Sequence, residues 1–165
     1  MQNKLLRAMF AAAVDAALPK HAIPKFLPKK PKGRTIVVGA GKAAASMAFA
    51  VEKHWPKNKP LSGLVITRYG HGLPTRHIKV IEAGHPIPDA SGEAAAKNIF
   101  EEVKKLEPDD LLLALISGGG SSLLSLPVAG VNMADLKAVT KELLLCGATI
   151  QEINTVRKHL SAIQG

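Results

Sequence analysis

Short apolar runs that enter glycine-rich turns are the feature that most constrains the fold of this chain. Residues 35–38 (TIVV) lead into a Gly-Ala-Gly turn, and residues 111–116 (LLLALI) lead into three consecutive glycines. Two more apolar runs, at 64–67 and 78–81, are separated from these by helical patterns. Continuous apolar strands alternating with helices are typical of parallel sheets buried on both faces. We therefore predict a three-layer α/β fold with a Rossmann-like, mostly parallel sheet, helices on both faces and 111–116 as a central strand.

Helices are predicted between and around these strands from apolar spacing, alanine-rich composition and the positions of the prolines. They cover residues 1–17, 42–54, about 91–106, about 133–145 and about 150–163. Asp89 or Ser91 is the expected N-cap of the third helix, and Gly147 the C-cap of the fourth.

Composition excludes several classes of protein. The chain has 165 residues, about one domain, and its 47% apolar content and mean hydropathy of +0.11 exclude a disordered protein. Aromatic residues make up only 4%, so the core must be aliphatic. A single cysteine, Cys146, excludes a disulfide framework and a cysteine-rich zinc site, which makes the cytoplasm the expected location. No apolar run approaches the roughly 20 residues of a membrane span, and no membrane partner is expected.

Positive charge is concentrated at the start of the chain. The net charge is +9, and residues 1–60 hold twelve basic and two acidic residues, a balance of +10. Residues 19–32 carry much of it together with four prolines, which predict a non-helical, solvated connection. The alternative is a face for an anionic ligand or a nucleic acid. Because Phe26 is the one aromatic residue in this stretch, base stacking is lacking and no nucleic-acid partner is expected.

The first glycine turn has the composition of a phosphate-binding loop. Gly39 and Gly41 precede a predicted helix, and Ala44 completes a weak G-x-G-x-x-G/A match. The loop is not a Walker A motif, and the second strand lacks the acid expected of an NAD site, although Arg68 could accept the 2′-phosphate of NADP. Lys42 opposes the helix dipole, which favours a functional role over a solvent-facing one.

The second turn follows the most apolar predicted strand. Consecutive glycines can form a nest of backbone N–H groups, and the flanking hydroxyls add donors for a phosphate or carboxylate. The alternative is a flexible glycine hairpin, and the order of residues does not match a hydrolase nucleophile elbow. The candidate residues are Ser117, Gly118, Gly119, Gly120, Ser121 and Ser122.

Two other segments hold candidate site residues. His85 lies in a proline-stiffened loop between a predicted strand and a predicted helix, and Asp89 follows it with capping as the alternative role. No second histidine or carboxylate stands at metal-ligand spacing, so no metal site is predicted. One polar face of the last predicted helix, which could also be ordinary solvated surface, carries Asn154, Arg157, Lys158 and Ser161.

Four segments taken together resemble a known family. GAGKAAASMA, AGHPIPDASG, LISGGGSSLL and INTVRKHLSAIQG occur in this order. The set is similar to the N-terminal part of the D-glycerate 2-kinases of the MOFRL type, whose members are often labelled hydroxypyruvate reductase. The resemblance extends over nearly the whole chain.

The resemblance implies an activity and a domain organisation. Residues 1–165 would be the N-terminal α/β domain of a two-domain protein, with the C-terminal MOFRL domain outside this chain and the site in the cleft between them. The implied reaction is phosphorylation of D-glycerate, a small-molecule substrate, to 2-phosphoglycerate with ATP and Mg²⁺. The alternative is an NAD(P)H-dependent hydroxypyruvate reductase. This chain alone is expected to be inactive, and a homodimer stays open as its assembly.

Residue roles also follow from the resemblance. Lys42 matches a loop lysine implicated in catalysis. The residues matched to substrate or phosphate binding are Gly39, Gly41, His85, Asp89, Ser117, Gly118, Gly119, Gly120, Ser121, Ser122, Asn154, Arg157 and Lys158.

Overall fold

The computed structural model describes residues 2–164. Strands and helices alternate between residues 35 and 116, except that the third strand follows the second with no helix between them. The strands are β1 (Thr35–Ala40), β2 (Leu61–Arg68), β3 (Ile78–Ala83) and β4 (Leu111–Ile116). The helices are α1 (Gln2–Ala17), α2 (Pro19–Phe26), α3 (Ala44–His54), α4 (Ala90–Val103), α5 (Gly120–Leu123), α6 (Met133–Leu145) and α7 (Ile150–His159).

The four strands form one parallel sheet in the order β3-β2-β1-β4. Ala40, the last residue of β1, lies opposite Ile66 of β2 and Ile116 of β4. Because the strands are parallel and nearly in register, their carboxyl ends meet at one edge of the sheet. The loops that follow β1, β2, β3 and β4 therefore share that edge, as the α/β prediction requires.

Helices cover both faces of the sheet, which confirms the predicted three layers. On one face Ile36 and Val38 of β1 belong to a cluster with Ile99 of α4 and Leu123 of α5. On the other face Val37 belongs to a cluster with alanines and a valine of α3. Neighbouring β1 residues thus point to opposite faces, as strand geometry dictates. The core is aliphatic, as composition predicted, with Trp55 as its buried aromatic residue.

Among residues 2–164, strand β4 lies at the edge of the sheet, whereas the prediction placed it at the centre. Within residues 2–164 it pairs with β1 on one side and lies at the edge of the sheet on the other. Leu112 and Ile116 are consequently 40% and 60% exposed, although the strand is apolar throughout. Apolar composition indicated burial correctly for β1 but could not show which strand would have neighbours on both sides.

Helix α2 contradicts the prediction that the prolines at 19–32 exclude a helix. Pro19 stands in the first turn, where a missing N–H costs nothing, while Pro24 lies inside the helix and removes one hydrogen bond. Ile23 and Leu27 pack against the cluster that contains Trp55. This tertiary packing offsets the proline penalty, which local sequence rules do not include.

Helix ends differ from prediction by a few residues. Asp89 is the N-cap of α4, and Gly147 adopts a left-handed φ of 75° after α6, as expected. Helix α7 ends at His159, four residues early, because the chain turns there to form a bridge between Ser161 and Pro127. The short helix α5 was predicted as part of a loop.

Helix α1 contacts α2 and keeps much apolar surface exposed. Its exposed large apolar residues are Leu5, Leu6, Met9, Phe10 and Val14. The helices described over residues 2–164 include none that is both long enough and apolar enough to cross a membrane.

Candidate functional site

The turn after β1 (residues 41–43) and the glycine-rich loop after β4 (residues 117–122) are joined by hydrogen bonds. The backbone N–H of Lys42 donates to the carbonyl of Gly118 at 2.9 Å. The N–H of Ala43 donates to the Ser117 hydroxyl at 3.0 Å, and the N–H of Ser117 donates to the Ala40 carbonyl at 3.1 Å. Two segments separated by about 75 residues in sequence are therefore held as one surface at the carboxyl edge of the sheet.

Glycine is required at three positions near this edge, because another segment of the chain approaches the backbone there too closely for a Cβ atom. A Cβ on Gly41, which has a φ of 135°, would overlap Ser117. A Cβ on Gly119, which has a φ of 86°, would overlap the imidazole of His85. A Cβ on Gly39 would overlap the Leu115 carbonyl, so Gly39 lets β1 and β4 approach each other and stays buried inside the strand.

Lys42 and the free amides of the loop converge on one surface. The Lys42 side chain is exposed, and its Cε atom lies 3.8 Å from the position that a Cβ of Gly118 would occupy. Among the described residues, Lys42 forms no ion pair, and the amides of Gly118 and Gly119 donate to no acceptor. The amide of Gly120 differs, because it donates to the Ser117 carbonyl at 3.1 Å and is unavailable to a ligand.

Two hydrogen bonds hold the Asp89 carboxylate at the carboxyl edge of the sheet. One carboxylate oxygen accepts from the Gly92 N–H at 2.9 Å, and the other accepts from the Tyr69 hydroxyl at 2.8 Å. Burial raises the pKa of Asp89, but the hydrogen bonds from Gly92, Tyr69 and Gly84 outweigh it and leave the pKa below its usual value. Asp89 thus caps α4 and holds the loop that carries His85.

Sequence reasoning missed Tyr69. The signal was present, since Tyr69 directly follows the last residue of β2 and so belongs to the ligand-binding edge of a parallel sheet. Its hydroxyl connects the β2 end to the β3–α4 loop through Asp89.

The C-terminal helices form another side of the site. A terminal guanidinium nitrogen of Arg157 donates to the Ser121 carbonyl at 3.4 Å, and the side-chain amide of Gln164 donates to the same oxygen at 2.7 Å. Partial burial lowers the pKa of Arg157, although a guanidinium stays protonated. Gln164 was not among the predicted residues, because only the turn at the end of α7 brings it back to the loop.

Only two of the four residues on the predicted polar face of α7 lie at the site. Asn154 and Arg157 line one cavity with Gly119, Ser121 and Ser122. Lys158 is exposed and does not line that cavity. Ser161 lies beyond the helix and is buried, where its hydroxyl accepts from backbone amides instead of facing solvent.

The site has cations and N–H donors but little metal-binding chemistry. Across residues 2–164, no group of three or more histidine, cysteine, aspartate or glutamate side chains is placed to hold a metal ion. The surface formed by Lys42, Gly118, Gly119 and Arg157 suits an anionic ligand such as a phosphate or a carboxylate.

Known proteins resemble this chain along its length. A D-glycerate 2-kinase of Thermotoga maritima is 42% identical over 164 residues, which cover 99% of this chain and 39% of that protein. A protein of Agrobacterium vitis with the provisional name hydroxypyruvate reductase is 55% identical over 163 residues, covering 99% of this chain and 37% of that protein. The chain thus spans less than two-fifths of the length of these relatives.

A solved structure shares the fold. The crystal structure of the glycerate kinase of Thermotoga maritima matches with a TM-score of 0.86 and 39% identity, over 97% of this chain and 39% of the crystallised chain. The predicted resemblance to glycerate 2-kinases is thereby confirmed. Residues 5–165 match a family described as a domain of unknown function, DUF4147, and the chain belongs to that family.

Proposed function

We propose that this chain is the N-terminal part of a kinase that transfers a phosphoryl group from ATP to D-glycerate, giving 2-phosphoglycerate. The observation that carries the proposal is the backbone hydrogen bond between Lys42 and Gly118, together with the Lys42 side chain, which runs beside Gly118. The amides of Gly118 and Gly119 have no acceptor among the described residues. The glycerate kinase names of the relatives support it. The hydroxyl acceptor is the 2-OH of a small hydroxy acid.

Lys42 is the residue we place on the transferring phosphoryl group. Phosphoryl transfer needs little covalent chemistry from the protein, and catalysis depends on positioning and on neutralising charge. An ammonium group with no carboxylate partner among the described residues can meet that charge without first breaking an ion pair. The N–H groups of Gly118 and Gly119 add donors that are already oriented by the backbone.

His85 is placed at the hydroxy acid. Its imidazole lies against Gly119, and the loop that carries it is fixed by the carboxylate of Asp89. An imidazole can donate to a carboxylate or accept from a hydroxyl, and both groups occur in D-glycerate. Held next to the loop amides, His85 would orient the acceptor hydroxyl toward the phosphoryl group.

Mg²⁺ is implied by the kinase reaction but does not fit the residues of this chain alone. Mg²⁺ prefers oxygen ligands, usually one or two carboxylates with substrate phosphates. Over residues 2–164, the carboxylates form no cluster that could hold it. We therefore assign no step to the metal through these residues.

A chimera tests the proposal. This chain would replace the matching 164-residue segment of the Thermotoga maritima D-glycerate 2-kinase, and ADP formation with D-glycerate would be compared with NAD(P)H oxidation by hydroxypyruvate. We expect ADP formation from the chimera, and none from the 165-residue chain alone, because one wall of a cleft cannot exclude water or align a transition state. NAD(P)H oxidation without ADP formation would favour the reductase alternative instead.

A further inference from the structure

A cavity of about 850 Å³ opens beside the glycine-rich loop. Helices α6 and α7 form one wall, residues 86–88 form the facing wall, and Gly119, Ser121 and Ser122 lie at one end. Its volume is in the usual range for small-molecule sites, about 300–1,000 Å³. D-Glycerate, with three carbons, would occupy only a small part of it.

The walls are aliphatic, and no other part of residues 2–164 covers them. Ile87, Leu144, Leu145 and Ile150 line the cavity and are between 61% and 69% exposed. Single exposed apolar residues are common on protein surfaces, but four that share one concave surface suit a ligand with an apolar face. A hydroxy acid has no such face to cover them.

The rest of the lining is cationic. Lys137 and Lys141 lie on the α6 wall, and Arg157 lies beside Ser121. None of the described residues that line the cavity is an aspartate or a glutamate. Arg157 is half-buried and pairs with no carboxylate among the described residues, so part of its hydration has been lost without an ionic partner. The ligand that fits therefore has an anionic part as well as an apolar part.

We propose that this cavity binds the nucleotide, with its base and ribose against the aliphatic walls and its phosphates toward Arg157, Ser121 and Ser122. The inference rests on the proposed kinase function and extends it, because it assigns the nucleoside site to α6, α7 and residues 86–88. The glycine-rich loop then lies between two neighbours, with the cavity on one side and Lys42 on the other. The phosphate chain would extend over that loop, so that its γ-phosphoryl group reaches Lys42.

Binding of two probes to the chimera tests the assignment. ATP and inorganic tripolyphosphate share the phosphate chain, but only ATP has a nucleoside. Because burial of the nucleoside against apolar side chains strengthens binding, we expect ATP to bind at least about tenfold more tightly. Leu145→Gln and Ile150→Gln should remove most of that difference and leave tripolyphosphate binding unchanged.

Two control variants separate the inference from the proposed function. Leu5→Gln, on the equally exposed surface of α1, should change neither affinity. Arg157→Gln should weaken both probes by a similar factor. Equal binding of ATP and tripolyphosphate, with both still weakened by Arg157→Gln, would overturn the nucleoside site and leave the phosphate-binding role intact. Loss of the difference between ATP and tripolyphosphate binding in Leu5→Gln would also overturn the nucleoside site. Failure of both probes to bind would overturn the nucleoside site and the phosphate-binding role together.

Discussion

The backbone N–H of Lys42 donates a 2.9 Å hydrogen bond to the carbonyl of Gly118, although 76 positions separate the two residues. The bond fixes the backbone of Lys42 while its side chain extends along a residue that has no side chain. Position and charge are thus supplied by different elements, the position by the loop after β4 and the charge by the turn after β1.

Replacing Lys42 with methionine in the chimera should lower kcat by about 10²–10³-fold, the usual cost of losing one preorganised group that stabilises transition-state charge. Lys57→Met is the matched control, because Lys57 is also exposed but follows the C-terminal end of α3 at the opposite edge of the sheet. Steady-state ADP formation measures both variants. An equal loss in the two would show that the effect of Lys42 is not local.

Gly119 and Gly130 allow a test of close approach that is matched for backbone conformation. Their φ angles are 86° and 85°, but a Cβ on Gly119 would meet His85, whereas a Cβ on Gly130 would have nothing within 4 Å. Gly130→Ala should cost about 1 kcal/mol of folding stability from backbone strain alone.

Gly119→Ala should cost a further amount of about 1–3 kcal/mol, because the imidazole must be displaced. Urea unfolding of the two variants gives the comparison. Similar losses in both would mean that His85 does not pack on Gly119 in solution.

Asp89 should make the folding stability of the protein depend on pH. Its pKa is lowered in the folded protein, so its contribution is present above the ordinary carboxyl pKa and is lost as the pH falls through the folded value. Asp89→Ala should lose about 1 kcal/mol at neutral pH, as expected for an N-cap, and less in acid.

Asp89→Asn is the control, because an asparagine oxygen can still cap the helix but does not titrate. Urea unfolding at neutral and acid pH measures both variants. A loss in Asp89→Ala that does not shrink in acid would contradict the role given to the carboxylate.

Glu52 should hold the segment before β3. Its carboxylate accepts from the backbone N–H groups of Arg76, His77 and Ile78, with distances of 2.6 to 2.8 Å for the shortest bond to each. Glu52→Gln replaces one acceptor oxygen with a donor, which should cost about 1–3 kcal/mol and speed amide exchange at these three positions.

Glu101→Gln serves as the control, since Glu101 forms an exposed ion pair with Lys104 that contributes little to stability. Hydrogen exchange followed by NMR resolves the individual amides. Unchanged exchange at 76–78 in Glu52→Gln would contradict the anchoring role.

Local patterns predicted the parts of the fold that depend on neighbours in sequence. The strands follow apolar runs, and Asp89 caps α4 because an aspartate three residues before a free amide is sufficient for that interaction. Helix α2 was missed because packing of Ile23 against α3 and its surroundings compensates for Pro24, which is a tertiary effect. The edge position of β4 was missed for the same reason.

In the candidate site, too, some features could be predicted from the sequence and others depend on tertiary packing. The closeness of Lys42 to the glycine-rich loop follows from the predicted α/β fold, since parallel strands bring their carboxyl ends to one edge. The contacts of Tyr69 with Asp89 and of Gln164 with Ser121 were not, because they depend on how long side chains extend between elements. The separation of Lys158 from Asn154 and Arg157 follows from how α7 packs against the loop, which helical spacing alone does not determine.

The proposed reaction is transfer of the ATP γ-phosphoryl group to the 2-hydroxyl of D-glycerate by the protein to which this chain belongs. The most direct measurement is ³¹P NMR of the chimera incubated with ATP, Mg²⁺ and D-glycerate. We predict that the γ-phosphate signal of ATP is replaced by that of 2-phosphoglycerate, and that Lys42→Met suppresses this change. A folded chimera that releases only inorganic phosphate, or that leaves ATP intact while it reduces hydroxypyruvate, would contradict the proposed kinase function.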